Sequence, residues 1–536
     1  MISKNEQLKV GSPTLAGAIA TTLADQATDR FSADDEQFLK FHGIYQGDDR
    51  DARKTGTKHY QFMVRTKLPA GVLNADQYLA CDDLASRFAN GTLRITSRQD
   101  FQFHGVIKGG LGPLVKAINE ALLTTLGGCG DVHRNVMAPP TPLQSRVAEQ
   151  VIADARRVSD AVLPQTPAYH AIWIEGVQIN LNPDFTDPLY GKQYLPRKFK
   201  TAFAIPPLND VDVFSNDLGF VAIVEGDRLV GYNVHVGGGL GMSHNNPATF
   251  PRLADLLGFV EPGSLVEVAK AAVGIHRDFG DRTNRKHARL KYVLAEKGAA
   301  WCREELERRL GFKLQEARPF TFTKQGDLFD WHRQLDGRWF LGLYIESGRI
   351  KDGLKNTLRE VVSRFKPEVR LTPSQNLLLV NIADADRAAI TQLLDAHIHP
   401  SAAQRASMAC VALPTCGLAI TEAERFLPTF LAEFERAQAE AGLQDDEITI
   451  RITGCPNGCA RSYTAEIGLV GKSVGLYQLL LGGNGGNTRL NRLYKENVKA
   501  TDLIGVLSPL LKRYAQERAA GERFGDWVVR AVEFPK

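Results

Sequence analysis

Four of the seven cysteines fall in two close pairs, Cys410-x5-Cys416 and Cys455-x3-Cys459, with 38 residues between the pairs. Thiolates are soft ligands, and four of them suit zinc or an iron–sulfur centre. Zinc ribbons and fingers keep about two to four residues inside each pair, so the wider first pair fits them poorly. The irregular spacing fits an iron–sulfur cluster better, with zinc or unligated core cysteines as the alternatives. The segment Thr453-Gly454-Cys455-Pro456-Asn457-Gly458-Cys459 is made of turn residues, which leave backbone N–H groups free to donate to sulfur. The other three, Cys81, Cys129 and Cys302, lie apart; Cys129 reads as a plain buried cysteine. An odd count, with no apolar segment and cleavage site at the N-terminus, argues against a disulfide framework and predicts a cytoplasmic protein.

The second set of chemical residues is cationic. Pro196-Arg197-Lys198-Phe199-Lys200 and the run 281–291 concentrate positive charge, although the net charge of the chain is only +4. Either these clusters are solvated faces or they meet an anion. Lys198 and Lys200 are two apart in a strand-like run and so share a face. Arg94, Arg98, Gln102 and His104 alternate along the run 92–106 and are expected on one face of one strand. His104 reads as a structural histidine. There is no Lys/Arg tail, so nucleic-acid binding has little support. Gly237-Gly238-Gly239 matches neither dinucleotide nor P-loop patterns, and reads as a loop that lets backbone approach a ligand closely.

These residues sit in a chain that repeats itself. Leu93–Gln99 is echoed by Val369–Gln375, Asn135–Pro139 by Cys410–Pro414, and Val230 through Gly239 by Val474 through Gly483, in the same order. Arg98 then corresponds to Ser374, and Asn135 to Cys410. Alternating runs at 92–106 and 368–382 predict strands, while 112–127 and 422–442 carry helical apolar spacing. The composition, 43% hydrophobic and 24% charged, is that of a globular protein of several domains, with no run of about 18 apolar residues to cross a membrane. The fold expected is α+β, internally duplicated about a pseudo-twofold, with a large ligand between the copies.

ACVALPTCGLA (409–419) and RITGCPNGCARSYTAEIGLVG (451–471) resemble the signature of the siroheme and [4Fe–4S] sulfite and nitrite reductases. FMVRTKLPAGV (62–72), LRITSRQDFQFHGV (93–106), HRNVMAP (133–139), YLPRKFK (194–200), VGGGLG (236–241) and NRKHARLKY (284–292) resemble further blocks of the assimilatory sulfite reductase hemoprotein, the beta component, from about residue 40 to the C-terminus. The resemblance implies ferredoxin-like half-domains at 56–140 and 319–400, larger domains at 141–318 and 401–536, and an N-terminal arm at 1–55. It implies a [4Fe–4S] cluster on Cys410, Cys416, Cys455 and Cys459, with Cys459 also axial to the siroheme iron. Arg65, Arg134, Lys198 and Lys200 would surround sulfite; Arg94, Arg98, Gln102, Arg197, Arg285, Arg289 and Asn457 would hold siroheme. The expected activity is reduction of sulfite to sulfide. With no flavin or dinucleotide domain, electrons would come from a separate protein, an NADPH-oxidising flavoprotein subunit slightly before ferredoxin. The blocks fit nitrite reductase less well.

Overall fold

The structure, a computed structural model, describes residues 2–535 apart from 57, 143–145, 177–181 and 183. The alternating run 92–106 does not form one strand. Thr96 N donates to Asp100 O (2.9 Å) and Gln99 takes φ +56°, so the chain turns back between β4 (Leu93–Ile95) and β5 (Phe101–Val106). The repeat does the same: Thr372 N donates to Asn376 O (2.9 Å), Gln375 takes φ +72°, and the turn joins β13 (Glu368–Leu371) to β14 (Leu377–Ile382). Alternation alone cannot see the turn, because its polar residues continue the period.

The hairpins centre two five-stranded sheets. With β1 (Ile44–Asp48), β2 (Tyr60–Arg65), β3 (Val72–Leu73), β10 (Asp330–Arg333), β11 (Trp339–Leu343) and β12 (Arg349–Ile350), the orders are β1-β2-β5-β4-β12 and β10-β11-β14-β13-β3. Each half therefore lends one short strand to the other's sheet. The exchange needs glycine: Gly71 and Gly348 both have φ +70°, and each lies against the turn glutamine of one half and a strand carbonyl, Gln99 and Leu371 O for Gly71, Gln375 and Ile95 O for Gly348. A Cβ would collide there and be strained as well. The segment 1–55 is an arm only in part, because β1 pairs with β2 along its whole length.

A second pair of sheets repeats another pattern. β6 (Thr201–Ala204), β7 (Leu218–Glu225), β8 (Arg228–Val236) and β9 (Asp255–Val260) run in chain order, as do β15 (Ser407–Ala409), β16 (Ile450–Thr453), β17 (Ile467–Ser473), β18 (Leu476–Leu481) and β19 (Arg492–Lys499). β6·β7 and β16·β17 are parallel. Their registers set the true correspondence between copies. Thr201 faces Leu218 as Ile450 faces Ile467; Met137 bridges Ala202 as Met408 pairs with Arg451. Cys410 therefore corresponds to Pro139 and not to Asn135: the short apolar echo is offset by four residues, and only the ladder defines register. The glycine echo holds at its end, where Gly237 N donates to Asp217 O (2.9 Å) and Gly482 N to Glu466 O (3.2 Å). Its beginning does not, since Gly231 lies inside β8 while Gly475 lies in the turn before β18.

Helices cover the sheets at Ala75–Phe88, Lys108–Glu120, Asp352–Phe365 and Leu427–Glu440. The helix expected over 112–127 begins earlier and ends at Glu120. One continuous apolar core runs from Leu15 to Ile398 through both ferredoxin-like halves and the 201–310 region; a second fills the C-terminal unit from Ala403 to Val532. The cations and the thiols thus sit on different bodies, and the space between them is where they meet.

Candidate functional site

A cavity of about 390 Å³ lies between the copies, within the size range of cofactor sites. Arg98, Arg197, Lys198, Lys200, Arg285 and Arg289 line it from the first copy, and Asn457, Gly458, Cys459 and Arg461 from the second. Each cation arrives by a backbone reason. Phe199 N and Arg134 N close a bridge to the 132–134 segment, at Val132 O (3.0 Å) and Phe199 O (2.8 Å). The bridge buries Phe199 and turns Lys198 and Lys200 to the cavity, as their spacing predicted. Arg98 stands in the hairpin turn, not on a strand face with Arg94. It donates to Asn216 Oδ1 (2.9 Å) and Thr201 O (3.0 Å), and its Nε has no partner. Arg289 is held on Asp217 (2.8 Å), which also accepts from Lys200 N (2.9 Å). Lys291 donates to Gly239 O (3.1 Å) and Gly241 O (2.7 Å), fixing the glycine loop against the cavity wall.

The cavity wants negative charge. Burial first, then Arg197 and its cationic neighbours, pushes Lys198 well below the ordinary lysine value; burial, then Arg98 and Lys198, does the same to Lys200. Burial lowers Arg98 to about 9 and Arg197 to about 10. Crowded cations with unpaired donors, including Arg461 Nη1, are costly unless an anion joins them.

Other expected residues stand behind the lining. Arg94 and Gln102 face each other across β4 and β5. Arg94 is 2% exposed and donates to Ser347 O (2.7 Å) and Ala409 O (3.0 Å), with Glu424 2.9 Å away. Its counterpart Arg370 is tied in the same manner to Pro140 O (3.1 Å) and Glu149 (2.9 Å), so the pair fastens each hairpin to its neighbour. Gln102, with its amide oxygen turned to Arg65, and His104 against Arg349 (3.1 Å) complete that layer. Arg65 lies 3.7 Å from Asp100; Arg134 is 5% exposed and donates to Gly130 O (2.8 Å) and Gly128 O (3.2 Å).

The four thiols lie on loops following β15 and β16, and of these Cys459 lines the cavity. Burial and the neighbouring Cys459 raise Cys410 to about 12 and Cys416 and Cys455 to about 11. Gly454 N approaches Cys410 Sγ (3.3 Å) and Asn457 Nδ2 approaches Cys455 Sγ (3.4 Å), so the turn directs N–H groups at sulfur as expected. Each of these thiols is an electrostatic neighbour of Cys459 and of one other thiol, and four soft sulfur donors grouped in this way suit a cluster with several metal corners. Burial keeps these thiols protonated while no metal is bound, and a metal would have to displace the protons, because the thiolate is the ligand. The donor set and the cationic cavity fit a [4Fe–4S] cluster held by Cys410, Cys416, Cys455 and Cys459 beside a polycarboxylate macrocycle. Ser97, whose hydroxyl donates to Cys459 O (2.8 Å), and Arg461 also belong here and were not singled out from the sequence. For Arg461 the signal was available: a cation two residues beyond Cys459.

The nitrite and sulphite reductase 4Fe-4S domain model matches residues 130–314 and 401–531, and the nitrite/sulfite reductase ferredoxin-like half domain model matches 53–121 and 332–397. A Myxococcus xanthus protein named sulfite reductase [NADPH] hemoprotein beta-component is 51% identical over 100% of this chain and 97% of its own. A Bacillus subtilis protein of the same name is 44% identical, covering 98% of this chain and 95% of its own. Among solved structures, Mycobacterium tuberculosis NirA superposes with a TM-score of 0.84 at 26% identity, over 99% of this chain and 96% of that one.

Proposed function

This chain belongs to the nitrite and sulphite reductase family, and from that premise we propose that it is the hemoprotein component of an assimilatory sulfite reductase. The reaction joins sulfite, six electrons and six protons to give sulfide and three waters. Siroheme and a [4Fe–4S] cluster, when bound, supply the electron chemistry. The observation that carries the reading is the single cavity in which cations of one copy face Cys459 of the other.

The protein's own groups have three tasks. Arg98, Arg197, Arg285, Arg289 and Arg461 would pair with carboxylates of the macrocycle, and Asn457 would help to hold it. Lys198 and Lys200, with Arg134 and Arg65 behind them, take the sulfite charge and offset it where water is scarce. The lysines are the proton donors: their depressed pKa values make proton release easy, and an arriving anion restores the proton. Cys410, Cys416, Cys455 and Cys459 would hold the cluster, and of these Cys459 is the one that lines the cavity. Electrons come from a separate protein, an NADPH-oxidising flavoprotein; the relatives' name, which specifies NADPH and a beta-component, supports this.

The test is the absorption spectrum of the cofactor-loaded protein, reduced and titrated with sulfite, followed by sulfide release with a flavoprotein donor or with ferredoxin. A siroheme spectrum that shifts with sulfite, with sulfide formed from the flavoprotein, is expected. A protein loaded with both groups that releases no sulfide from either donor would refute the reading.

A further inference from the structure

The helix Lys4–Gly11 is short and mostly polar, yet two of its charged residues are among the most buried in the molecule: Glu6 is 1% exposed and Lys9 2%. They do not face solvent because they face each other and the back of the cavity. Lys9 Nζ lies 2.5 Å from Glu6 Oε1, donates to Leu195 O (2.7 Å) and stands 3.9 Å from Asp131. Glu6 pairs with Arg282, which in turn donates to Tyr194 O (2.8 Å) and Arg277 O (2.9 Å). Asp131 grips Arg285 with both oxygens (2.6 and 3.0 Å) and lies 3.8 Å from Arg197.

Three separate chain segments therefore meet on this helix. The 194–200 segment brings Arg197, Lys198 and Lys200 to the cavity, the 281–291 segment brings Arg285 and Arg289, and the 129–137 loop brings Arg134. Buried ion pairs of this kind are weak sources of stability, because desolvation offsets most of the attraction; where they serve a purpose, it is to hold one arrangement against others. The charges here point along a chain that ends on cavity cations.

We propose that Glu6 and Lys9 are positioning residues for the anion cavity, acting through Arg282 and Asp131 to orient Arg285 and Arg197 from behind and, by holding the 194–200 segment at Tyr194 O and Leu195 O, to set Lys198 and Lys200 toward sulfite. The proposal rests on the sulfite-reducing reading and deepens it. Neither residue touches sulfite. They restrict the lining cations to the arrangement that receives an anion, and they do so from a segment remote in sequence from every motif of the site.

The experiment compares four cofactor-loaded proteins: unaltered, Glu6→Gln, Lys9→Met, and Lys4→Met as a control in the same helix, where Lys4 makes an exposed pair with Asp34 (2.6 Å). Sulfite affinity is read by spectral titration of the reduced protein, and KM and kcat are read with a small chemical reductant. Siroheme content and melting temperature are recorded for each. Glu6→Gln and Lys9→Met should weaken sulfite affinity about tenfold, the low end for partners that orient a binding group, with kcat changed far less and Lys4→Met unaffected. KM does not depend on how much enzyme is active, so a variant that folds poorly still answers on its folded fraction. An unaltered affinity in Glu6→Gln or Lys9→Met overturns the proposal and leaves the helix a stabilising strap. If the unaltered protein itself neither binds nor reduces sulfite, the functional reading fails first.

Discussion

The loop 209–212 and the loop 458–461 are the same piece of architecture in the two copies, put to different use. Each ends in a residue with positive φ, Asp212 at +49° and Arg461 at +58°, which opens a short 3₁₀ turn before a strand paired in parallel. Asp212 and Arg461 pair with each other at 2.6 Å, so they mark the place where the copies meet. Two residues upstream in each loop stand Asp210 and Cys459. Cys459 opens on the cavity, whereas Asp210 is 2% exposed, with burial and then Asp327 pushing its carboxyl up to about 8. One scaffold thus yields one open site and one closed by its own side chains. The duplication supplies the frame; individual substitutions decide which half carries chemistry.

The sharpest way to break this comparison is to alter the two equivalent positions. Cys459→Ser should lose cluster iron, siroheme and sulfite reduction together, down to background, by iron analysis, absorption and sulfide release. Asp210→Asn should keep all three. Equal losses would mean that the two halves are not divided as described. Next in size, Lys200→Met should retain both cofactors while sulfide formation falls on the order of 10²-fold, the lower range for loss of a positioned proton donor.

The equivalent acids Asp217 and Glu466 separate site from scaffold. Asp217 holds Arg289 at the cavity; Glu466 accepts from Arg523 (2.6 Å), Thr449 N (2.9 Å) and Gly525 N (3.0 Å) inside the C-terminal unit. Asp217→Asn should raise the sulfite KM about tenfold with a small change in melting temperature. Glu466→Gln should cost about 1–3 kcal/mol of stability by chemical denaturation and leave KM alone.

Two pH effects complete the comparison. Lys198 and Lys200 take up protons when an anion arrives, so sulfite affinity should weaken as pH rises from neutral toward the ordinary lysine value. Replacing both with Met should flatten that dependence in spectral titrations. Asp210 works through the folded state. Its carboxyl is protonated when folded up to about pH 8 but ionised when unfolded above the ordinary carboxylate value, so folding takes up a proton in that window. Stability should fall as pH rises through it, by at most about 1.4 kcal/mol per unit, and the advantage of Asp210→Asn should grow from pH 5 to 8 in thermal melts.

Much of the site could be read in advance because its elements are local. Cys455-Pro456-Asn457-Gly458-Cys459 is a turn whose donors reach sulfur within a few residues, and Lys198 and Lys200 keep their shared face because strand parity needs no distant partner. Arg98 and Arg94 could not be sorted this way. They are four apart in one alternating run, but the turn at Gln99 sends one to the cavity and the other to Glu424, some 330 residues away in the chain. Nothing local marks Glu6 and Lys9 either, because their partners Arg282 and Asp131 lie far along the chain.

The amino-acid sequence by itself determined the ligand types, the cation-rich segments, the repeat and the α+β class, since each depends on residue chemistry or short-range periodicity. Only the tertiary structure decided the strand exchange between halves, the correspondence of Cys410 to Pro139, the separation of Arg98 from Arg94 and the burial of the N-terminal charges. All of these are set by register and packing between segments hundreds of residues apart, where many alignments satisfy the local pattern and only one buries the core while leaving a cavity between the copies.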